Sequence, residues 1–231
     1  MKFSLIAPTY NEVENVGRLF EEVDRYLRGV DYEIIVSDDN SPDGTWAVAE
    51  RIATTNPRVR VLRRTTDPGL TRSVIDGFTL ASGEIVACLD ADLQHDPVIL
   101  PQMLQVIAQR QADIAIGSRY VKGGSTGTWK IVRRVPSWAA TKMAQVVLGV
   151  EIHDPLSGYF MLRRDHFLQI RDRLRGNGFK VLLEIVANAG PCRVQEFPYT
   201  FRPRLAGKSK LTRRVVTAYL IQLWELWRAK R

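Results

Sequence analysis

From Phe3 to Gly117 the chain alternates short apolar runs with stretches of helical period, and this alternation restricts the fold more than any other feature. Phe3 to Ala7 reads as a buried strand, followed by a turn and a helix from about Glu12 to Leu27. Tyr32 to Ser37 is a second strand, and the polar run Asp38-Asp39-Asn40-Ser41-Pro42-Asp43-Gly44 leads into a helix ending near Thr54. Val59 to Leu62, Glu84 to Leu89 and Asp113 to Gly117 read as further strands, with helices over Leu70 to Ala81 and Val98 to Gln109 between them. Strands separated by helices of this length imply βαβ units, hence a mostly parallel sheet with right-handed crossovers. A chain of 231 residues can bury one sizeable core, so one α/β domain is expected.

Beyond Gly117 the pattern loosens. Tyr120 to Lys130 is rich in Gly, Ser and Thr and reads as a mobile loop. Pro136 to Leu148 and Phe179 to Ala189 read as helices and Tyr159 to Leu162 as extended, while Val194 to Phe201 reads as an edge strand because Pro198 lacks a ladder donor. A last helix runs from about Thr212 to Arg228. On it Val215, Val216, Tyr219, Leu220, Leu223, Trp224 and Trp227 recur at three- and four-residue steps, forming an apolar stripe flanked by basic residues. Such a stripe suits a helix lying on an anionic membrane, or one packed against its own domain. The expected division is a main domain over 1–211 and this amphipathic helix over 212–231.

In open α/β sheets ligands bind beyond the carboxyl ends of the strands. Four polar clusters fall at such ends: Pro8-Thr9-Tyr10-Asn11-Glu12, Asp38-Asp39, Asp90-Ala91-Asp92 and Gly117-Ser118-Arg119. Asp90 and Asp92 close an apolar strand across one residue, so unneutralised they repel and raise each other's pKa. A hard divalent cation such as Mg²⁺ or Mn²⁺ relieves this, taking oxygen from the carboxylates and from substrate phosphates, with Gln94 as an additional oxygen. An isolated D-x-D is more often a polar strand end with Asp92 capping the next helix; the convergence of clusters favours the metal. Asp38-Asp39 stays open between a helix-start turn and a carboxylate that accepts from base or ribose donors. Tyr10 is open between base stacking and core, and His95 and His153 read as cap or turn residues. Neither a G-x-x-x-x-G-K-[ST] loop nor a G-x-G-x-x-G after the first strand is present.

The net charge of +8 would admit a nucleic-acid binder, but the basic residues concentrate from Arg202 onward while acidic clusters occupy the strand tips. No nucleic acid partner is expected; phosphorylated ligands or an anionic membrane suit the distribution better. Two cysteines, Cys88 and Cys192, fit a reducing compartment rather than a disulfide scaffold. The apolar run before Pro8 is short for a signal peptide, and no stretch approaches the ~18 apolar residues of a spanning helix. A cytoplasmic location is expected, peripheral on the cytoplasmic face of a membrane. The oligomeric state is not legible.

Taken in order, Pro8 to Glu12, Asp38 to Thr45, Asp90 to His95, Gly117 to Gly124, Asp154 to Tyr159, Gly178 to Glu184 and Gly207 to Leu211 resemble the family 2 glycosyltransferases, in the polyprenyl phosphate mannose synthase branch. The resemblance spans nearly the whole chain. It implies a Rossmann-like GT-A domain and a metal-dependent, inverting transfer of a hexose to a polyprenyl phosphate. GDP-mannose is the expected donor, with UDP-glucose as the alternative and a nucleotidyltransferase as the rival chemistry. It implies that Pro8, Tyr10, Glu12 and Asp39 hold the nucleoside and that Asp90, Ala91 and Asp92 meet the donor diphosphate, with Asp90, Asp92 and Gln94 on the metal. Arg119, Lys180, Arg202 and Lys208 would neutralise phosphates, and Arg133 with Ser137 would meet the acceptor phosphate. Catalysis would centre on Asp90, Asp92 and Arg119. A lipid-linked acceptor favours the membrane reading of the last helix. One departure stands out: relatives carry a Lys before Gly-Leu-Gly, where this chain has Thr66-Asp67-Pro68-Gly69-Leu70-Thr71-Arg72, with Arg72 the candidate replacement.

Overall fold

In a computed structural model that describes residues 1–204 and 213–229, seven strands form one sheet in the order β3-β2-β1-β4-β6-β5-β7. The strands are β1 (Phe3–Thr9), β2 (Tyr32–Asp38), β3 (Val59–Arg63), β4 (Ile85–Cys88), β5 (Ile114–Ser118), β6 (Phe160–Arg163) and β7 (Val194–Pro198). Neighbouring pairs are parallel except β4–β6 and β5–β6, where β6 runs antiparallel. The mostly parallel α/β sheet is thus as expected, and β7 is at the edge where Pro198 costs no ladder bond. The reversed β6 has a positional effect. Its amino end lies at the same edge as the carboxyl ends of the other strands, so the preceding loop, 154–158, joins the polar clusters there.

β1, β2 and β4 are buried along their whole lengths because helices cover both faces. Leu5, Ala7, Ile34 and Ala87 pack on one side with α1 (Val16–Tyr26), α2 (Thr45–Ala53) and α4 (Leu100–Ala108). Ile6, Ile35, Val86 and Cys88 pack on the other with α3 (Leu70–Leu80), α6 (Arg164–Ile170) and α7 (Val181–Asn188). Period-2 alternation along a strand sends successive residues into these two cores.

Several boundaries differ from the sequence reading. Helix α5 covers Ile131–Leu148, with Pro136 inside it rather than at its start. Its amino end instead carries Arg133 and Arg134 amides donating to the Lys130 carbonyl. Helix α6 went unread because seven residues are too short for a periodic signal. The Tyr120–Lys130 segment is pinned rather than loose: Ser125 donates to the Tyr199 carbonyl, and Phe201 donates back to Ser125. A side chain at Gly127, which sits at φ +58°, would run into the Phe201 carbonyl. The glycines there permit close backbone approach, a use that composition cannot tell from flexibility.

Helix α8 (Arg213–Ala229) divides its apolar stripe. Tyr219, Leu223 and Leu226 pack with Ala144 and Leu148 of α5 and Leu183 of α7, and the Tyr219 hydroxyl donates to the Ala140 carbonyl at 2.7 Å. Val216, Leu220, Ile221 and Trp224 face outward. Trp227, also on the stripe, is partly buried against the packed set. Among the described residues no helix is long and apolar enough to cross a membrane.

At the sheet edge opposite the polar clusters, the buried Glu33 carboxylate accepts from Ser4 Oγ (2.6 Å), the Ser82 amide (2.7 Å) and hydroxyl (2.8 Å), and Arg60 Nη1 (2.9 Å). Burial alone would raise its pKa, but these donors outweigh it and hold the group down to about 2. A depressed folded-state pKa adds stability above the unfolded value near 4.3 and loses it as pH falls toward 2. Glu33→Gln should therefore cost roughly 2 kcal/mol at pH 7 and flatten the loss of stability between about pH 4.5 and 2. Urea titrations across that range check both.

Candidate active site

The central strand delivers the acidic pair. β4 ends when the Leu89 amide donates to the Ile6 carbonyl, and the chain leaves the sheet at Asp90. Asp90 lies against Gly158 of the loop before β6; a Cβ there would stand 2.9 Å from Asp90 Oδ2. Leu93 then takes φ +60°, and Asp92 Oδ1 accepts from the Gln94 amide at 3.1 Å, closing a tight turn. The cap of the following helical turn is Asp96, which accepts from the Val98 amide, so Asp92 is not spent on capping.

Asp92 and Gln94 converge on one cation. Arg204 Nη2 donates to Asp92 Oδ2 at 2.6 Å, and Gln94 Oε1 lies 3.4 Å from Arg204 Nε and Nη2. Burial pushes the Asp92 carboxyl up, the neighbouring Asp90 charge adds to it, and His95, Arg204 and the Gln94 amide oppose. The guanidinium thus holds the position where two hard oxygen donors meet, beside a second carboxylate. Carboxylate and amide oxygens of this kind are donors that a hard divalent cation accepts. Among the described residues no cluster of three or more His, Cys, Asp or Glu side chains could hold a metal. Coordination would then need oxygens from a bound ligand or water. His95 is no cap: its ring is buried 5.4–5.7 Å from those of Phe201, Tyr199 and Tyr159. Its Nδ1 lies 3.6 Å from Asp90 Oδ2 without a hydrogen-bond partner, and burial pushes its pKa down to about 4.

The two aspartates at the end of β2 separate in role. Asp38 is fully buried and accepts from Thr9 Oγ1, the Ser41 amide and Ser41 Oγ at 2.6–2.7 Å, which makes it the turn residue. Asp39 faces a cleft of about 550 Å³ lined by Pro8, Tyr10, Glu12, Asp90, Ala91, Asp92, Phe179, Arg133 and Arg204, among others. That volume suits a nucleotide-sized ligand. Tyr10 stands 45% exposed at the rim, which removes it from the core. Glu12 is buried, accepting from Asn15 Nδ2 at 2.7 Å while its amide donates to Thr45 Oγ1 at 3.0 Å.

The expected phosphate-binding cations are scattered. Arg119 forms a buried fork with Asp154: Nε and Nη2 each donate at 2.7 Å, and its amide donates to the same carboxylate at 3.1 Å. Lys180 Nζ donates to the Leu156 carbonyl at 3.1 Å, and burial followed by the Arg119 charge lowers its pKa. Arg202 pairs with Asp96 at 2.7 Å and Glu22 at 3.4 Å, outside the nucleotide cleft. Arg133 stacks 3.9 Å from the Trp129 ring centroid, and Ser137, one turn along α5, lies 2.9 Å from the Tyr120 hydroxyl. Lys208 lies outside the described residues. A second cavity of about 520 Å³, lined by Gln94, Trp129, Lys130, Arg133, Arg202 and Arg204, shares Arg133 and Arg204 with the first. Arg72 does not fill the gap in its loop: it sits by Gly176, where a Cβ would stand 3.0 Å from its Nε.

Sequence reasoning missed Arg204 and Phe179. For Arg204 the signal was the basic run Arg202-Pro203-Arg204, in which the first arginine was chosen. Nothing local marks Phe179 as a wall of the cleft.

The mostly parallel sheet thus carries an acidic pair at its central strand tip, opening on adjoining nucleotide-sized and cationic cavities. Residues 4–171 match the family described as Glycosyl transferase family 2, and the chain belongs to it. It is 42% identical over 228 residues to a dolichol-phosphate mannosyltransferase of Pyrococcus furiosus, covering 98% of this chain and 64% of that protein. It is 35% identical to an undecaprenyl-phosphate mannosyltransferase of Micrococcus luteus, covering 100% of this chain and 99% of the relative. The fold also matches glucosyl-3-phosphoglycerate synthase of Mycobacterium tuberculosis, solved with Mn²⁺ and UDP, at TM-score 0.71 and 16% identity over 99% of this chain and 79% of the other.

The Arg119–Asp154 fork is a buried ion pair, so removing one partner strands a charge in the interior. Arg119→Met should cost about 3–5 kcal/mol of stability by denaturant unfolding, whatever its effect on turnover.

Proposed function

We propose that this protein transfers mannose from GDP-mannose to a polyprenyl phosphate, with inversion at the anomeric carbon. The observation that carries the reading is the pair of cavities, one floored by Asp90 and Asp92 and the other lined by cations, meeting at Arg133 and Arg204. The names of the Pyrococcus and Micrococcus relatives support the sugar and the lipid acceptor. In this reading Tyr10, Glu12 and Asp39 bind the nucleoside, and Asp90, Asp92 and Gln94 hold Mg²⁺ or Mn²⁺. The metal would supply charge neutralisation for the donor diphosphate and its leaving group. Arg204 faces the same carboxylate and the same cavity, so it can exchange Asp92 for phosphate oxygens. Arg133 and Ser137 orient the acceptor phosphate. A phosphate oxygen attacks the anomeric carbon as the bond to the donor's diphosphate oxygen breaks. With a second pKa near 6, the phosphate is already ionised at neutral pH, so cations that position it replace a general base.

The acceptor's lipid tail calls for a membrane surface. Helices α5 and α8 pack against each other, and each turns apolar residues outward, including Trp138 at 55% and Trp224 at 54% exposure. Such aromatics suit the headgroup boundary. Two free cysteines agree with the cytoplasmic face.

Asp92→Ala should fold normally and lower turnover at least about a hundredfold, near 3 kcal/mol of transition-state stabilisation. EDTA should abolish wild-type turnover, and Mg²⁺ or Mn²⁺ should restore it. Full activity in EDTA overturns the metal, and transfer from UDP-glucose but not GDP-mannose overturns the donor. The protein should also co-sediment with anionic vesicles at low salt, and Trp138→Ser with Trp224→Ser should release it. An intact protein that stays in the supernatant counts against the membrane surface.

A further inference from the structure

The loop from Thr66 to Arg72 lacks the basic residue that its resemblance leads one to expect, and Arg72 turns away from the cleft. A different arginine occupies the interior behind that loop. Arg64, just beyond β3, is buried, and its guanidinium reaches three separate pieces of chain. It donates to Asp39 Oδ1 at the tip of β2, from Nε to Asp76 Oδ2 of α3 at 2.8 Å, and from Nη2 to the Asp67 carbonyl at 2.7 Å. Its own amide donates to the Asp38 carbonyl at 2.7 Å. The other Asp39 oxygen accepts from the Gly69 amide at 2.8 Å. Asp39, Pro68, Gly69 and Leu70 all line the nucleotide cleft, whereas Arg64 does not.

We infer that Arg64 is a positioning residue for the donor's nucleoside: it fixes the direction of the Asp39 carboxylate and ties the Pro68-Gly69 wall to it. This rests on the reading of Asp39 as a nucleoside contact. The physical logic is that of a buried charge. Burial raises the Asp39 pKa and Asp38 adds to the rise, while the Gly69 amide and Arg64 oppose. The charged groups facing Asp39 are therefore Arg64 and Asp38, with Asp76 acting on it through the shared guanidinium. An ionised carboxylate is an acceptor only, suited to the N–H edge of a base; a protonated one loses part of that capacity. The planar fork of Arg64 can hold three partners in fixed directions, which an ammonium cannot.

The test is calorimetric binding of GDP with Mn²⁺ between pH 5 and 8, on wild type, Arg64→Met, Arg64→Lys and Asp39→Asn. Arg64→Met should weaken GDP about tenfold or more at pH 7, with affinity falling further as pH drops, because loss of the opposing guanidinium leaves burial and Asp38 to push the Asp39 carboxyl further up. Arg64→Lys should recover part of the affinity and flatten the profile, and in turnover assays the defect should fall on donor KM rather than kcat. If Arg64→Met does not fold, Arg64→Lys alone decides: wild-type affinity and KM overturn the inference. Wild-type, pH-independent affinity in a folded Arg64→Met also overturns it, provided Asp39→Asn does weaken GDP. If Asp39→Asn binds GDP like wild type, the nucleoside reading of Asp39 fails first.

Discussion

The site is organised around carboxylates held where water is scarce. Asp90 and Asp92 stand at the tip of a strand buried on both faces and flanked by neighbours on both sides, and Asp92 is itself buried. Two such charges repel, and Asp92, being buried, also lacks the hydration that would make its ionisation cheap. The surroundings answer with directed donors and cations: the Gln94 amide and Arg204 for Asp92, Arg64 and the Gly69 amide for Asp39, Arg119 for Asp154. The result is an edge of the sheet rich in paired charges. At the opposite edge Glu33 has donors enough to satisfy it permanently. The same residue chemistry is closed off there and opens on a cavity here.

Most of the sheet was legible because its signal is local. Apolar runs ending in polar clusters fix strands and their carboxyl ends, and those ends located Asp39, Asp90 and Asp92 before any coordinates. What was illegible depended on distance in sequence. That Arg119 spends its fork on Asp154, or that Arg204 rather than Arg202 meets Asp92, follows from pairings across 35 and 112 residues. A basic side chain looks the same in sequence whether it meets a phosphate or a carboxylate. The glycines between Tyr120 and Lys130 posed the same problem, since close packing and looseness share one composition. Pro136 misled for a simpler reason: proline is usual in a first helical turn, and here it sits in the second.

Helix α8 joins two surfaces that are usually considered apart. Its inner residues pack on α5 and α7, its outer residues carry exposed apolar side chains, and Val215 near its start forms part of the nucleotide cleft wall. One helix thus borders the cleft and borders the outside. Whatever holds the helix in place from outside acts on the ligand by the same factor as the ligand acts on that attachment, because coupling free energies between two equilibria are reciprocal.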